Sequence, residues 1–188
     1  MRKLALLCFL LLSLQFAAAH AVEIDTAAST ITVRVFKSGF FSVFAHDHTI
    51  SAPLASGKLD AEKRTVELRF RTSEMKVLDP GVKDSERADI ERTMKSAKVL
   101  DIERFSEIAF ASTSVEPRDS GAFLVRGDLT LHGATRSIEL PVSFSAGHYS
   151  GTVKLKQTDF GITPITIAGG GVKVKDIIEV HFEIVPTK

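Results

Sequence analysis

The chain has a single cysteine, Cys8, and it lies inside an N-terminal apolar run. A protein that loses this segment has no disulfide, no thiolate metal ligand and no cysteine nucleophile. Tryptophan is absent and tyrosine occurs once, at Tyr149, yet there are thirteen phenylalanines, of which Phe9 and Phe16 lie in or near the N-terminal run. An aromatic set so skewed suits a large apolar interior with few polar tips to satisfy. There is no basic run, which argues against nucleic acid or an anionic membrane surface as the main partner. No low-complexity linker and no internal repeat divides the chain. No nucleophile, base and orienting group can be assembled from the residue pattern, so the expectation is a protein that is not an enzyme.

The N-terminus itself has a recognisable order. Arg2 and Lys3 precede an apolar stretch from Leu4 to Phe16, and Ala19-His20-Ala21 has the small-x-small form of a cleavage site. The stretch is shorter than the ~20 residues a spanning helix needs. It reads as a secretory signal peptide, residues 1–21, cleaved after Ala21. Export then places residues 22–188 in an oxidising compartment, the periplasm, where a chain without cysteine must be held by burial. Loss of Arg2 and Lys3 leaves 22 basic against 23 acidic residues, a net charge of −1 in place of +1. The remaining chain is long enough for one domain with a substantial core.

Most of that domain alternates with period two. Ile31, Val33 and Val35 interleave with Thr30, Thr32 and Arg34; Val66, Leu68 and Phe70 with Thr65, Glu67 and Arg69. The same holds for Ile138, Leu140, Val142 and Phe144, for Val153 and Leu155, and for Ile178, Val180, Phe182 and Ile184. Each run has one apolar and one solvated face, as antiparallel strands do. Turn residues separate them: Ser56-Gly57, Asp79-Pro80-Gly81, Asp119-Ser120-Gly121, His132-Gly133, Ala146-Gly147 and Gly169-Gly170-Gly171. One segment, about residues 84–98, switches to helical spacing through Ile90, Met94 and Ala97. Asp84 or Ser85 can cap it, and its interleaved acidic and basic residues describe a solvated face. Many short amphipathic strands must close or stack to hide their edges. The expected fold is all-β, an antiparallel barrel of about eight strands with one helical insertion; a sandwich is the alternative.

Two histidines stand out. His46 and His48 lie two residues apart, so on a strand both rings share one face. Three roles are open to them: ligands of a metal, polar groups at a tunnel mouth that touch a ligand headgroup, or ordinary hydrogen bonding to backbone and water. A metal needs a third and usually a fourth ligand, and the sequence does not show which other histidine, if any, converges on the pair. His132 reads as turn chemistry beside Gly133. Asp159-Phe160-Gly161-Ile162 reads as a strand end with a tight turn, because the other parts of a kinase are missing. The glycine run 169–171 leads into a strand, not a helix, so it is a hairpin tip and not a phosphate cradle.

A series of short motifs runs through the whole of this domain: Val22-Glu23-Ile24-Asp25 and Ser29-Thr30-Ile31, then residues 93–101 and Arg104 to Phe110. The most specific is Gly127-Asp128-Leu129-Thr130-Leu131-His132-Gly133-Ala134-Thr135-Arg136, followed by Thr158-Asp159-Phe160-Gly161-Ile162. In their order and spacing the chain resembles the YceI-like family. It departs from the family at Ser106, where proline is frequent, and at Lys156, Gln157 and Thr158, where arginine is frequent. It also departs at Phe44 to His48, which resembles a branch with a His-x-His pair. What the resemblance implies is a lipocalin-like β-barrel, secreted or periplasmic, holding a long polyisoprenoid lipid in an interior tunnel without a cofactor. The barrel lining is then expected from Val33, Val35, Leu68, Phe70, Phe110, Leu129, Leu140, Val142, Phe144, Val153 and Phe182, with His46 and His48 at a polar mouth. Phe144→Glu is expected to abolish lipid retention or folding. The rival readings are a periplasmic metal-binding or redox accessory protein that uses His46 and His48, and an interaction module with a filled, ligand-free barrel. A homodimer is compatible with all three.

Overall fold

The computed structural model describes residues 21–39, 46–167, 169 and 171–187. The expected signal peptide therefore lies outside the described residues, apart from Ala21. So do residues 40–45, Ala168 and Gly170.

The period-two segments form one antiparallel sheet of twelve strands among the described residues. They are β1 (Val22–Glu23), β2 (Thr30–Ser38), β3 (His48–Ser51), β4 (Leu54–Asp60), β5 (Thr65–Arg71), β6 (Lys76–Val77), β7 (Glu107–Pro117), β8 (Ala122–Leu131), β9 (Ala134–Ser145), β10 (His148–Lys156), β11 (Thr166–Ile167) and β12 (Val172–Ile184). Twelve exceeds the expected eight for two reasons. β1, β6 and β11 are stubs of two residues each. β3 and β4 are two halves of one segment bent at Ala52-Pro53. Counted by their long segments, the strands number eight.

Their pairings run round a ring: β2, the bent segment, β5, β7, β8, β9, β10, β12 and back to β2. The bend is where the ring shifts partner. β3 pairs with β2, and β4 pairs with β5. Ala52 still donates its N–H to Ile31 O at 2.9 Å, while Pro53 has no N–H to give, so the ladder breaks there without an orphaned donor. The stubs cover what the bend leaves open. β6 pairs with β3 at one end of the barrel and β1 with β4 at the other. β1 is also tied to the end of β12 through Asp25 N to Val185 O and Thr187 N to Glu23 O, both 2.8 Å. Exposed strand edges are thereby short.

Inward-facing glycines make room for rings. On β8, a Cβ at Gly127 would lie 2.5 Å from Phe110 Cζ and 2.6 Å from Ala111 O, so only glycine leaves space for that ring. Gly151 on β10 does the same for Phe182, its direct register partner on β12. Ser56-Gly57, read in the sequence as a turn, lies inside β4. Gly57 is buried there and packs under Ile24 and Leu68, so the glycine serves close packing and not a reversal. The β8–β9 turn is as expected: His132 and Gly133 take φ of 51° and 75°, the left-handed pair that a two-residue hairpin needs.

Helix α1 spans Asp84–Lys95 and ends before the expected residue 98. Its N-cap is Lys83 and makes no side-chain cap, so neither Asp84 nor Ser85 takes that role. The helix begins one residue early, which puts Asp84 in the first turn, where its carboxylate pairs with Arg87. Ala97 falls beyond the helix and is exposed; Met94 and Ile90 carry the packing. The charged face is laced by Asp89–Arg92 and Glu91–Lys95 pairs at 2.8 and 2.7 Å.

Glu91 fastens the helix to the sheet. Its carboxylate accepts from Lys95 Nζ and from the Val77 N–H of β6. The Lys95 bond above all, then the Val77 N–H, hold its carboxyl below the usual carboxylate range against the opposing effect of partial burial. A lowered folded value gives stability that is present above the unfolded pKa, about 4.3, and is lost as pH falls through the lower folded one. Glu91→Gln is expected to cost about 0.5–1 kcal/mol at pH 7 and to shrink the acid sensitivity below pH 4.5, measured by urea unfolding across pH.

Candidate functional site

The barrel is hollow. A cavity of about 920 Å³ runs along its interior, walled mainly by hydrocarbon. Val33, Val35, Leu68, Phe70, Phe110, Leu129, Leu140, Val142, Val153 and Phe182 all line it. Several of these are only half-buried although they point inward, because the space they face is empty of protein atoms. Tyr149, Ile178 and Val180 join them from β10 and β12.

Phe144 does not. It has the inward parity of Ile138, Leu140 and Val142, but β9 outruns the barrel at this point. The side chain is 42% exposed and leans on Tyr149, ring centroids 4.6 Å apart. Parity fixes the face of the sheet, and strand length decides whether that face still has a barrel behind it. The expectation for Phe144→Glu is corrected accordingly: a rim position tests neither folding nor the cavity.

The two ends of the cavity differ. At the end formed by the β4–β5 and β7–β8 turns stand Asp60, Ala61, Arg64 and Pro117. Asp60 is held by Lys63, first through the backbone N–H at 2.9 Å and also through Nζ at 3.2 Å, and these bonds keep its carboxyl below the usual range. At the opposite end α1 contributes Glu86, Asp89, Ile90, Thr93 and Met94, beside Lys37, Lys173, His46 and His48. Phe160 and Ile162, from the turn that follows β10, are buried against this end.

Both histidines of the pair thus face the cavity, although they do not share a strand. His46 precedes β3 and is exposed; His48 opens it and is half-buried. Asp47 between them accepts the Lys37 N–H at 2.9 Å. The partner of His48 comes from Asp79, 31 residues away: Asp79 Oδ2 lies 2.6 Å from His48 Nδ1, and Oδ1 accepts the Thr49 N–H at 2.7 Å. Asp79 is 4% exposed. Its two oxygens fix one ring nitrogen and one backbone donor, which satisfies the buried carboxylate. In sequence Asp79 belongs to an Asp-Pro-Gly turn, and nothing local distinguishes it from turn chemistry. Among the described residues no group of three or more histidine, cysteine or acidic side chains is placed to hold a metal. The other described histidines stand apart. His132 donates from Nδ1 toward Phe160 O at 3.2 Å and leans on Phe105; His148 meets Glu183 at 2.6 Å; His181 meets Thr152 at 2.9 Å.

A hollow antiparallel barrel with an apolar interior defines a class of small-ligand-binding folds. The family model described as the YceI-like domain matches residues 22–185, and the chain belongs to that family. A UPF0312 protein of Vibrio cholerae is 36% identical over 89 residues, which is 42% of this chain and 47% of that protein, so this match spans about half of that relative. One of Vibrio parahaemolyticus is 28% identical over 156 residues, 78% of each chain. The crystal structure of Burkholderia cenocepacia BcnA superposes with a TM-score of 0.62 at 17% identity, over 87% of this chain and 99% of that one. A Campylobacter jejuni YCEI protein does so with a TM-score of 0.51 at 14% identity, over 100% of this chain and 99% of that one. At such identities the two structures speak for the fold.

The packing gives a contrast to measure. Phe110→Ala, which empties the space over Gly127, is expected to cost about 3 kcal/mol, and Phe144→Ala less than about 1 kcal/mol, by denaturant unfolding of the two variants.

Proposed function

We propose that this protein is a carrier that sequesters an amphiphilic lipid, tail in the barrel and headgroup at one end. The observation that carries the reading is the cavity: continuous, apolar through its middle, with polar groups gathered at its ends. Its size lies in the range of ligand pockets for small molecules. Each methylene-sized unit taken from water contributes about 0.8 kcal/mol, so a long tail binds with few polar contacts. Family membership makes an isoprenoid tail the first choice of ligand. The reading includes export by the signal peptide at residues 1–21 and a working place in the periplasm; among the described residues no helix is long and apolar enough to cross a membrane. It needs no cofactor and no catalytic step. The metal-accessory reading is weaker, because the described residues bring no group of three ligand side chains together.

Native mass spectrometry of protein taken gently from its own periplasm tests this, with metal analysis on the same sample. The expected result is an added mass that extracts into organic solvent. Ile138→Phe, which narrows the cavity from its wall, is expected to lower lipid occupancy while the chain remains folded. One metal per chain without lipid would overturn the carrier reading in favour of the accessory one, and a bare chain that takes up no added prenyl lipid would leave the barrel as an interaction module.

A further inference from the structure

The carrier reading leaves the headgroup open, and the His48–Asp79 pair narrows it. A carboxylate has only acceptor sites, and Asp79 uses one oxygen on the Thr49 N–H and the other on His48 Nδ1. The proton of the neutral ring therefore sits on Nδ1, and Nε2 carries the lone pair. His48 lines the cavity, and no described residue partners its Nε2. With Asp79 holding one ring nitrogen, the other is left, with its lone pair, among the few polar groups of a mainly apolar cavity.

Charge then selects the class of headgroup. The pair carries −1 with a neutral ring and zero with a protonated one; it never carries net positive charge. Three lysines line this end, Lys37, Lys156 and Lys173, together with the carboxylates of Glu86 and Asp89 on α1, and Asp79 stands behind His48. Asp89 is engaged by Arg92, and Lys156 has Asp176 beside it. No excess of positive charge awaits a phosphate or diphosphate. A neutral hydroxyl meets no such obstacle and can donate to Nε2.

We propose that His48, positioned by Asp79, is the headgroup-reading residue of the cavity, and that it accepts a hydrogen bond from the hydroxyl of an uncharged, alcohol-type amphiphile. This rests on the carrier reading. Asp79 does not touch the ligand; it holds the ring in its acceptor tautomer.

Three probes share one tail: geranylgeraniol, its methyl ether, which lacks the donor, and its diphosphate. Their affinities for the purified protein are measured by titration in native mass spectrometry. The alcohol is expected to bind about tenfold more tightly than the ether and than the diphosphate. His48→Leu is expected to erase the difference between alcohol and ether while the ether still binds. Asp79→Asn, which adds one unit of positive charge to the pair, is expected to raise diphosphate affinity relative to the alcohol. If Asp79→Asn fails to fold, His48→Leu decides alone, since there Asp79 keeps its bond to Thr49. Alcohol and ether bound equally by the unmodified protein would overturn the headgroup assignment and leave the carrier reading standing. So would a diphosphate preference, or an alcohol preference that survives His48→Leu. Failure of all three probes to bind would overturn the carrier reading and this inference with it.

Discussion

The ring closes through one bent segment, residues 48–60, and most other features follow from how that closure is made. Eight long strands with one apolar face each must bury those faces and hide their edges together. The bend at Ala52-Pro53 lets one stretch of chain pair with β2 in its first half and with β5 in its second. Proline fits because the ladder has no use for its N–H there. The cost is an unpaired side on each half, and two-residue stubs cover both. One of them, β6, runs directly into the turn that carries Asp79. The device that seals the barrel therefore also delivers the partner of His48.

The interior is hollow because the walls are strands and, among the described residues, the connections do not fill the space along their length. The helix closes over one end and is tied to β6 through Glu91. Inside, glycine at Gly127 and Gly151 concedes its own volume to Phe110 and Phe182. The rings thus lie against the wall, and the space along the axis stays open. A protein interior is normally packed to crystal-like density. A space of about 920 Å³ departs from that, and its walls are mainly hydrocarbon.

Much of this was legible in the residues. Period-two alternation located the long strands, and the turn residues at His132-Gly133, Ala146-Gly147 and Asp119-Ser120-Gly121 located three reversals. Ten of the eleven expected lining positions face the cavity, because parity alone decides the face of a strand. Phe144 is the exception, since parity does not say where a barrel ends. Ser56-Gly57 misled for a related reason: glycine marks a turn or a close packing, and only the neighbours Ile24 and Leu68 tell which. The helix was visible but its cap was not, since Asp84 suits both the cap and the first turn.

What the sequence determined by itself was local: the strands, the helix, the apolar face of each, and the residues that resemble the YceI-like family. These rest on period, turn chemistry and burial, which act between near neighbours in the chain. The tertiary structure alone decided what needs distant segments to meet. It set the bend that closes the ring and the size of the cavity. It also paired His48 with an aspartate 31 residues away, whose own surroundings in the sequence spell only a turn.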